Sequence, residues 1–117
     1  MISTPEQLAE FTTRLDTHKV IGLDTEADSL HSYYEKVCLV QVCSPDGYFL
    51  VDPLAEGLDL SAFYASLTPH TLIIHGADYD LRLLGRHPAF DAIDIFDTSI
   101  AARFLGLEQI GYAALVQ

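Results

Sequence analysis

The order of apolar runs along the chain constrains its fold more than any other feature of the sequence. One strand-like run, VIGLDTE, covers residues 20–26, and two more flank the turn sequence SPDG within residues 36–52. Strands joined by a tight turn pair antiparallel. Further runs at 71–76 and 92–97 alternate with helical patterns, and strands separated by a helix pair parallel. We therefore predict an α/β fold, in which a mixed sheet of three antiparallel strands followed by parallel strands is flanked by helices.

The helices of this fold are marked by capping residues and apolar periodicity. The first is predicted within residues 3–18, where Thr4 is the N-cap, Pro5 begins the first turn and Gln7 completes a capping box. Its apolar stripe consists of Leu8, Phe11 and Leu15. Further helical segments are predicted at residues 59–69, 78–87 and 98–107.

The composition sets limits on the class of protein. A chain of 117 residues fits one domain, and 50% hydrophobic residues are enough for a core, which excludes a disordered chain. Only six residues are Lys or Arg and the net charge is -11, which argues against a basic groove along a long phosphate backbone. An acidic pocket that holds metal cations remains compatible with this charge.

The cysteines and the apolar segments indicate where the protein resides. Cys38 and Cys43 lie five residues apart on one predicted strand, where they point to opposite faces and cannot easily form a disulfide. Reduced thiols are typical of intracellular proteins. We expect a cytoplasmic protein without a membrane contact, because neither a signal peptide nor a bilayer-spanning run is visible.

Two acids at the end of the first strand are the first candidates for chemistry. Asp24 and Glu26 are two positions apart, so on a strand both side chains project from the same face, about 6.6 Å apart at the backbone. Two carboxylates at this spacing can converge on one divalent ion, and oxygen ligands suit Mg²⁺ or Mn²⁺. If the strand ended near residue 23, the same two acids would simply be solvated.

A third acid favours the metal-site interpretation. Asp80 shares its helix face with Leu83 and Leu84, so it is predicted to point inward, towards the sheet. A buried carboxylate without a partner is costly. A metal ion bound by all three acids would be the partner that explains why they lie together.

Two segments that contain these acids resemble known motifs. LDTEADSL, at 23–30, is similar to the first motif of the DEDD 3′–5′ exonuclease superfamily, and HGADYDLRLL, at 75–84, is similar to its second motif. Together with YFLVDP and IFDTSIAARFLGL, the spacing most resembles the ribonuclease D branch. The resemblance extends from about residue 5 to the end of the chain.

The resemblance implies a ribonuclease H-like fold and the removal of single nucleotides from the 3′ end of RNA or single-stranded DNA. It also implies catalysis by two divalent ions, Mg²⁺ or Mn²⁺. By motif position, Asp24, Glu26 and Asp80 correspond to three of the family's four metal-binding acids. The positions that correspond to contacts with the terminal nucleotide are the backbone at Thr25 and Ala27 and the apolar side chain of Leu30.

The chain departs from the family pattern at its third motif, which carries a Tyr or His and the fourth acid. Tyr112 is followed four residues later by Val116 instead of Asp, and the sequence stops at Gln117 within an apolar helical pattern. We therefore expect residues 1–117 to form a single, incomplete exonuclease domain, truncated at its C-terminus, with little or no activity alone. The alternative is a catalytically incompetent domain of the same fold that binds nucleic acid or acts as a scaffold.

Other candidate residues are better explained by structural roles. His75 ends a predicted strand, and Asp97 precedes a helix as a predicted N-cap. Tyr33 and Tyr34 could stack on a base, but packing across strands explains them equally well. An aspartate-nucleophile phosphatase would need a second Asp where Glu26 stands, so that class fits poorly.

Overall fold

The computed structural model of the protein describes residues 1–28, 35–85 and 87–117. The helices in chain order are α1 (Pro5–Leu15), α2 (Ser61–Ser66), α3 (Ala77–Leu83), a 3-10 turn (Pro88–Asp91), α4 (Thr98–Phe104) and α5 (Tyr112–Leu115). The strands are β1 (Val20–Asp28), β2 (Lys36–Ser44), β3 (Gly47–Val51), β4 (Thr71–Ile74) and β5 (Asp94–Asp97). In the described part of the chain, every helix falls short of the length and apolar character that a bilayer span requires.

The strands form one five-stranded sheet in the spatial order β3-β2-β1-β4-β5. Strands β1, β2 and β3 pair antiparallel, whereas β4 pairs parallel with both β1 and β5. The predicted fold class is therefore confirmed in its mixed sheet, its pairing directions and its flanking helices.

One face of the sheet carries the hydrophobic core. The strands contribute alternate residues to this face, and α1 and α2 cover it. The fully buried side chains of the core are Leu15, Ile21, Val40, Val42, Val51, Phe63, Leu67, Leu72 and Ile74. On α1, the predicted capping box is present, with Thr4 accepting from the Gln7 backbone and Gln7 accepting from the Thr4 backbone.

The opposite face of the sheet, called the outer face here, is largely open. Tyr48 is 86% exposed there, and Leu50, Ile73 and Phe96 are exposed as well. A cavity of about 590 Å³ lies on this face, lined by residues of β1 to β4 and by Thr98 and Tyr112. The outer face therefore offers apolar surface next to the end of β1, where the predicted acids lie.

Strand β1 extends well beyond its neighbour β4, and this difference creates a free edge. Pairing between β1 and β4 ends at Gly22, while β1 continues to Asp28 along β2. The regular register with β2 is interrupted between Glu26 and Ala27. Between Gly22 and Asp28 the backbone edge of β1 is thus available to side chains of the helix that follows β4.

Several helices are shorter than their sequence patterns predict. The segment predicted at 59–69 is helical only over Ser61–Ser66, and the last helix is confined to Tyr112–Leu115. Helix α3 ends at Leu83 because the chain turns at Gly85, whose φ of 72° favours glycine. Propensity alone does not define these ends, since helix termini depend on packing and on the turn that follows.

Candidate metal-binding site

The outer face of β1 presents the two acids of the first motif side by side. Asp24 and Glu26 are exposed, whereas Thr25 between them is buried on the core side. This alternation is what an extended strand imposes on neighbouring side chains. The strand therefore continues past residue 23, and the expectation that both acids project from one face is met.

Gln41 connects the two acids, and sequence reasoning missed it. Its amide nitrogen Nε2 donates to Asp24 Oδ2 at 3.0 Å and, through a longer contact, to Glu26 Oε1 at 3.4 Å. The register of the sheet explains this contact, because Gln41 lies directly opposite Asp24 on β2. The sequence did contain a signal for this contact, namely a polar residue among apolar ones on the predicted neighbouring strand.

Asp80 points inward from α3, as predicted, and is only 3% exposed. Its Oδ1 accepts a hydrogen bond from the Thr25 backbone N–H at 2.9 Å and from Thr25 Oγ1 at 2.6 Å. The partner that explains its burial in this structure is therefore Thr25, at the free edge of β1, where the sequence led us to expect a metal ion. The contact joins the two motifs across 55 residues of chain.

The electrostatics of this region disfavour negative charge. Although Asp24 is exposed, partial desolvation of its carboxyl group raises the pKa, and the neighbouring charge of Glu26 raises it further. A hydrogen bond from the Thr25 backbone and the interaction with His75 oppose the rise. Burial also raises the pKa of Asp80, and the charge of Asp24 adds to this effect against the hydrogen bonds from Thr25. A divalent cation would relieve this repulsion, because an opposite charge favours the ionised carboxylates.

The donor chemistry of these acids fits Mg²⁺ or Mn²⁺, which prefer oxygen ligands. Both hydrogen bonds from Thr25 end on one oxygen of Asp80, so Oδ2 is left for another ligand. Within residues 1–28, 35–85 and 87–117, however, no three His, Cys, Asp or Glu side chains converge closely enough to hold an ion. Asp24 and Glu26 are adjacent on the outer face, and Asp80 approaches from the edge of β1 through Thr25.

The residues expected to contact a nucleotide have different environments. The backbone N–H of Thr25 donates to Asp80. Ala27 is half-buried and pairs with Val37 of β2. Leu30 lies outside the described residues, as do Tyr33 and Tyr34.

Asp97 is the predicted N-cap of α4 and also binds a second helix. Its carboxylate accepts from the backbone N–H groups of Ser99 and Ile100 in α4 and from those of Gly76 and Ala77 at the start of α3. Burial raises the pKa of Asp97, but these N–H groups outweigh burial and lower it to about 2. Asp97 thus fixes the start of the helix that carries Asp80.

His75 has the structural surroundings that its position at a strand end predicted. Its Nδ1 lies 2.8 Å from Thr98 Oγ1, and its ring makes an edge-on contact with the ring of Tyr112. His75 also lines the outer-face cavity together with Asp24.

The pairing of Thr25 with Asp80 predicts a measurable contribution to stability. Thr25→Val removes the hydroxyl but keeps the shape of the side chain, so the buried carboxylate loses one donor. We expect the free energy of unfolding to fall by about 1–2 kcal/mol in urea titrations. Thr25→Ser is the matched control, because it keeps the hydroxyl, and should retain most of the stability; equal losses in both variants would contradict the role of this bond.

The fold and the placement of these acids define a class of protein. The chain belongs to the 3′–5′ exonuclease family, whose profile matches residues 1–117. Among curated relatives, the ribonuclease D of Nitrobacter hamburgensis is 36% identical over 120 residues, which cover 100% of this chain and 31% of that protein. The predicted resemblance to the ribonuclease D branch is confirmed. The chain spans about a third of the length of such relatives.

Solved structures agree with this assignment. The Escherichia coli RNase D structure, described as an exoribonuclease involved in structured RNA processing, has a TM-score of 0.82 and 30% identity. The match covers 99% of this chain and 32% of that one. Trypanosoma brucei RNase D, solved in complex with RNA U12, has a TM-score of 0.68 over 85% of this chain and 38% of that one. At 24% identity, this second likeness concerns the fold alone.

Proposed function

We propose that residues 1–117 form part of a 3′–5′ exonuclease domain that acts on the 3′ end of RNA or single-stranded DNA. The observation that carries the proposal is the pair Asp24 and Glu26 on the outer face of β1, with Asp80 fixed to the intervening Thr25. In this proposal Asp24, Glu26 and Asp80 bind Mg²⁺ or Mn²⁺. The backbone near Thr25 and Ala27, with the side chain of Leu30, contacts the terminal nucleotide.

The chemistry of the proposed reaction is phosphodiester hydrolysis by a two-metal mechanism. Bound divalent ions would supply a nucleophilic water near neutral pH and stabilise the leaving 3′ oxygen. The protein's own part is to hold carboxylate oxygens at one place, through the Asp80–Thr25 hydrogen bonds and the Gln41 contacts. Two free thiols, Cys38 and Cys43, support a reducing, cytoplasmic environment for the reaction.

We further propose that this chain has little nuclease activity alone. The family's third motif, with its Tyr or His and a fourth acid, has no counterpart in residues 1–117. Among the described residues, no three ligands converge on one point. This observation favours the alternative function, a domain that keeps the exonuclease fold but does not catalyse. Saturable metal binding distinguishes the exonuclease domain from the domain without catalysis, since only the exonuclease site requires a bound metal ion.

The test measures Mn²⁺ binding by electron paramagnetic resonance of the free ion, in parallel with mononucleotide release from uniformly labelled single-stranded RNA. We expect saturable binding that Asp24→Asn abolishes. Asp94→Asn is the matched control, because Asp94 lies on the outer face near the opposite end of the sheet, and it should bind as the wild type does. Wild-type protein that binds no Mn²⁺ would overturn the metal site, and rapid Asp24-dependent nucleotide release would overturn the proposed inactivity.

A further inference from the structure

We infer that Gln41 is a positioning residue, which holds the Asp24 and Glu26 carboxylates together so that both can bind one divalent cation. The inference rests on the proposed function and concerns the same site. Gln41 belongs to neither sequence motif and lies on the neighbouring strand β2. Three features of the structure carry the argument.

The first feature is the register between the strands. Gln41 is the direct partner of Asp24, and Leu39 is the partner of Glu26. Direct partners on one face of an antiparallel pair have Cβ atoms about 4.5–5.5 Å apart, and diagonal neighbours are within reach of long side chains. Gln41 therefore reaches Asp24 straight across and Glu26 diagonally, whereas the side chain at position 43 lies one pair further from Glu26 and that at position 39 is the apolar Leu39.

The second feature is the chemistry of the amide group. Its NH₂ has two hydrogens on one nitrogen and no charge. Nε2 lies 3.0 Å from Asp24 Oδ2 and 3.4 Å from Glu26 Oε1, so one hydrogen can serve each carboxylate. One oxygen of each acid is then fixed, and the other remains for a cation.

The third feature is the interruption of the strand pair next to Glu26. The register shifts between Glu26 and Ala27, and Cys38 Sγ donates to the Glu26 carbonyl oxygen at 3.3 Å. The Glu26 carbonyl is thus bonded to the Cys38 thiol at the point where the regular pairing is interrupted. The freedom that remains lies in the two carboxylate side chains, which repel each other and would rotate apart towards solvent without a shared donor.

The experiment compares Mn²⁺ dissociation constants and urea-unfolding midpoints of the wild type, Gln41→Met and Gln41→Lys. Gln41→Met keeps the length but removes the donors, and we expect affinity to fall about tenfold or more, as for other residues that orient metal ligands, with an unchanged unfolding midpoint. Gln41→Lys places an ammonium group where the cation would bind. We expect it to lose saturable Mn²⁺ binding and to raise the midpoint.

Cys43→Ser is the matched control, since Cys43 lies on the same face of β2 opposite Gly22. It should bind Mn²⁺ as the wild type does. The inference fails alone if Asp24→Asn abolishes binding while Gln41→Met binds within twofold of the wild type. If the wild type itself binds no Mn²⁺, the proposed function fails, and the role of Gln41 falls with it.

Discussion

Replacing Asp80 by Asn is expected to weaken Mn²⁺ binding by about 10- to 100-fold, the effect of losing a group that ligates a metal or orients its ligands. The same change should leave the protein at least as stable as the wild type at pH 7. The side-chain oxygen of Asn can accept the same two hydrogen bonds that the Thr25 N–H and hydroxyl donate to Asp80 in the wild type. It also removes a charge that burial disfavours, since burial raises the pKa of Asp80.

The pH dependence of this stability effect has a defined sign. A carboxyl group with a raised pKa in the folded state costs stability when it is ionised, and the cost vanishes as the pH falls through that raised pKa. The advantage of Asn over Asp should therefore be complete at neutral pH and disappear in acid. Urea titrations at several pH values measure it.

The control for Asp80→Asn is Asp78→Asn, which removes the same charge from the same helix. Asp78 is exposed, and its ion pair with Arg82 at 2.7 Å lies on the surface, where such pairs contribute little. It should leave Mn²⁺ affinity unchanged. A loss of stability in Asp80→Asn of more than about 1 kcal/mol, or equal Mn²⁺ affinities in both variants, would contradict the prediction.

Replacing Asp97 by Ala is expected to lower the free energy of unfolding by about 3 kcal/mol, because a helix cap and further buried hydrogen bonds are lost together. Asp97 caps α4 through Ser99 and Ile100. It also accepts from the N–H groups of Gly76 and Ala77, where Gly76 is the N-cap of α3 and has no side chain to do so. One substitution therefore leaves backbone N–H groups at the starts of two helices without their acceptor.

Acid should remove the contribution of Asp97. Its pKa is lowered to about 2 in the folded protein, so its stabilisation is present above the ordinary value of 3.8 and is lost as the pH falls towards 2. The stability difference between wild type and Asp97→Asn should accordingly shrink between about pH 4 and pH 2. A difference that stays constant over this range would contradict the role of the ionised carboxylate.

Asp59→Ala is the matched control for Asp97→Ala. Asp59 is exposed and accepts from the N–H of Ser61, but it connects no second element. A smaller loss of stability is expected. Equal losses in the two variants would show that the connection between α3 and α4 adds nothing.

The sequence predicted those parts of the fold that depend on local pattern. The alternation of apolar residues predicted β1 with its two acids on one face, and the order of strands and helices predicted the pairing directions of the sheet. Short-range capping rules predicted the roles of Thr4 and Asp97. The strand faces and helix caps could be predicted because they involve residues a few positions apart, and the pairing directions because they follow from whether a tight turn or a helix connects two strands.

The contacts that organise the site could not be predicted in the same way. Gln41 reaches the acids only because the register places it opposite Asp24, and register depends on packing of the whole sheet. The Thr25–Asp80 contact depends on β1 extending past the end of β4. Similarly, the amphipathic pattern predicted that Asp80 points inward, but not that the Thr25 N–H and hydroxyl would donate hydrogen bonds to its carboxylate.

The most direct measurement is an anomalous difference map from crystals of the 117-residue chain grown with Mn²⁺. We expect a peak at the end of β1, within bonding distance of one oxygen each of Asp24 and Glu26, with Asp80 Oδ2 facing it directly or through water. Crystals that show Mn²⁺ only elsewhere, with the Asp24 and Glu26 side chains turned apart into solvent, would contradict the account.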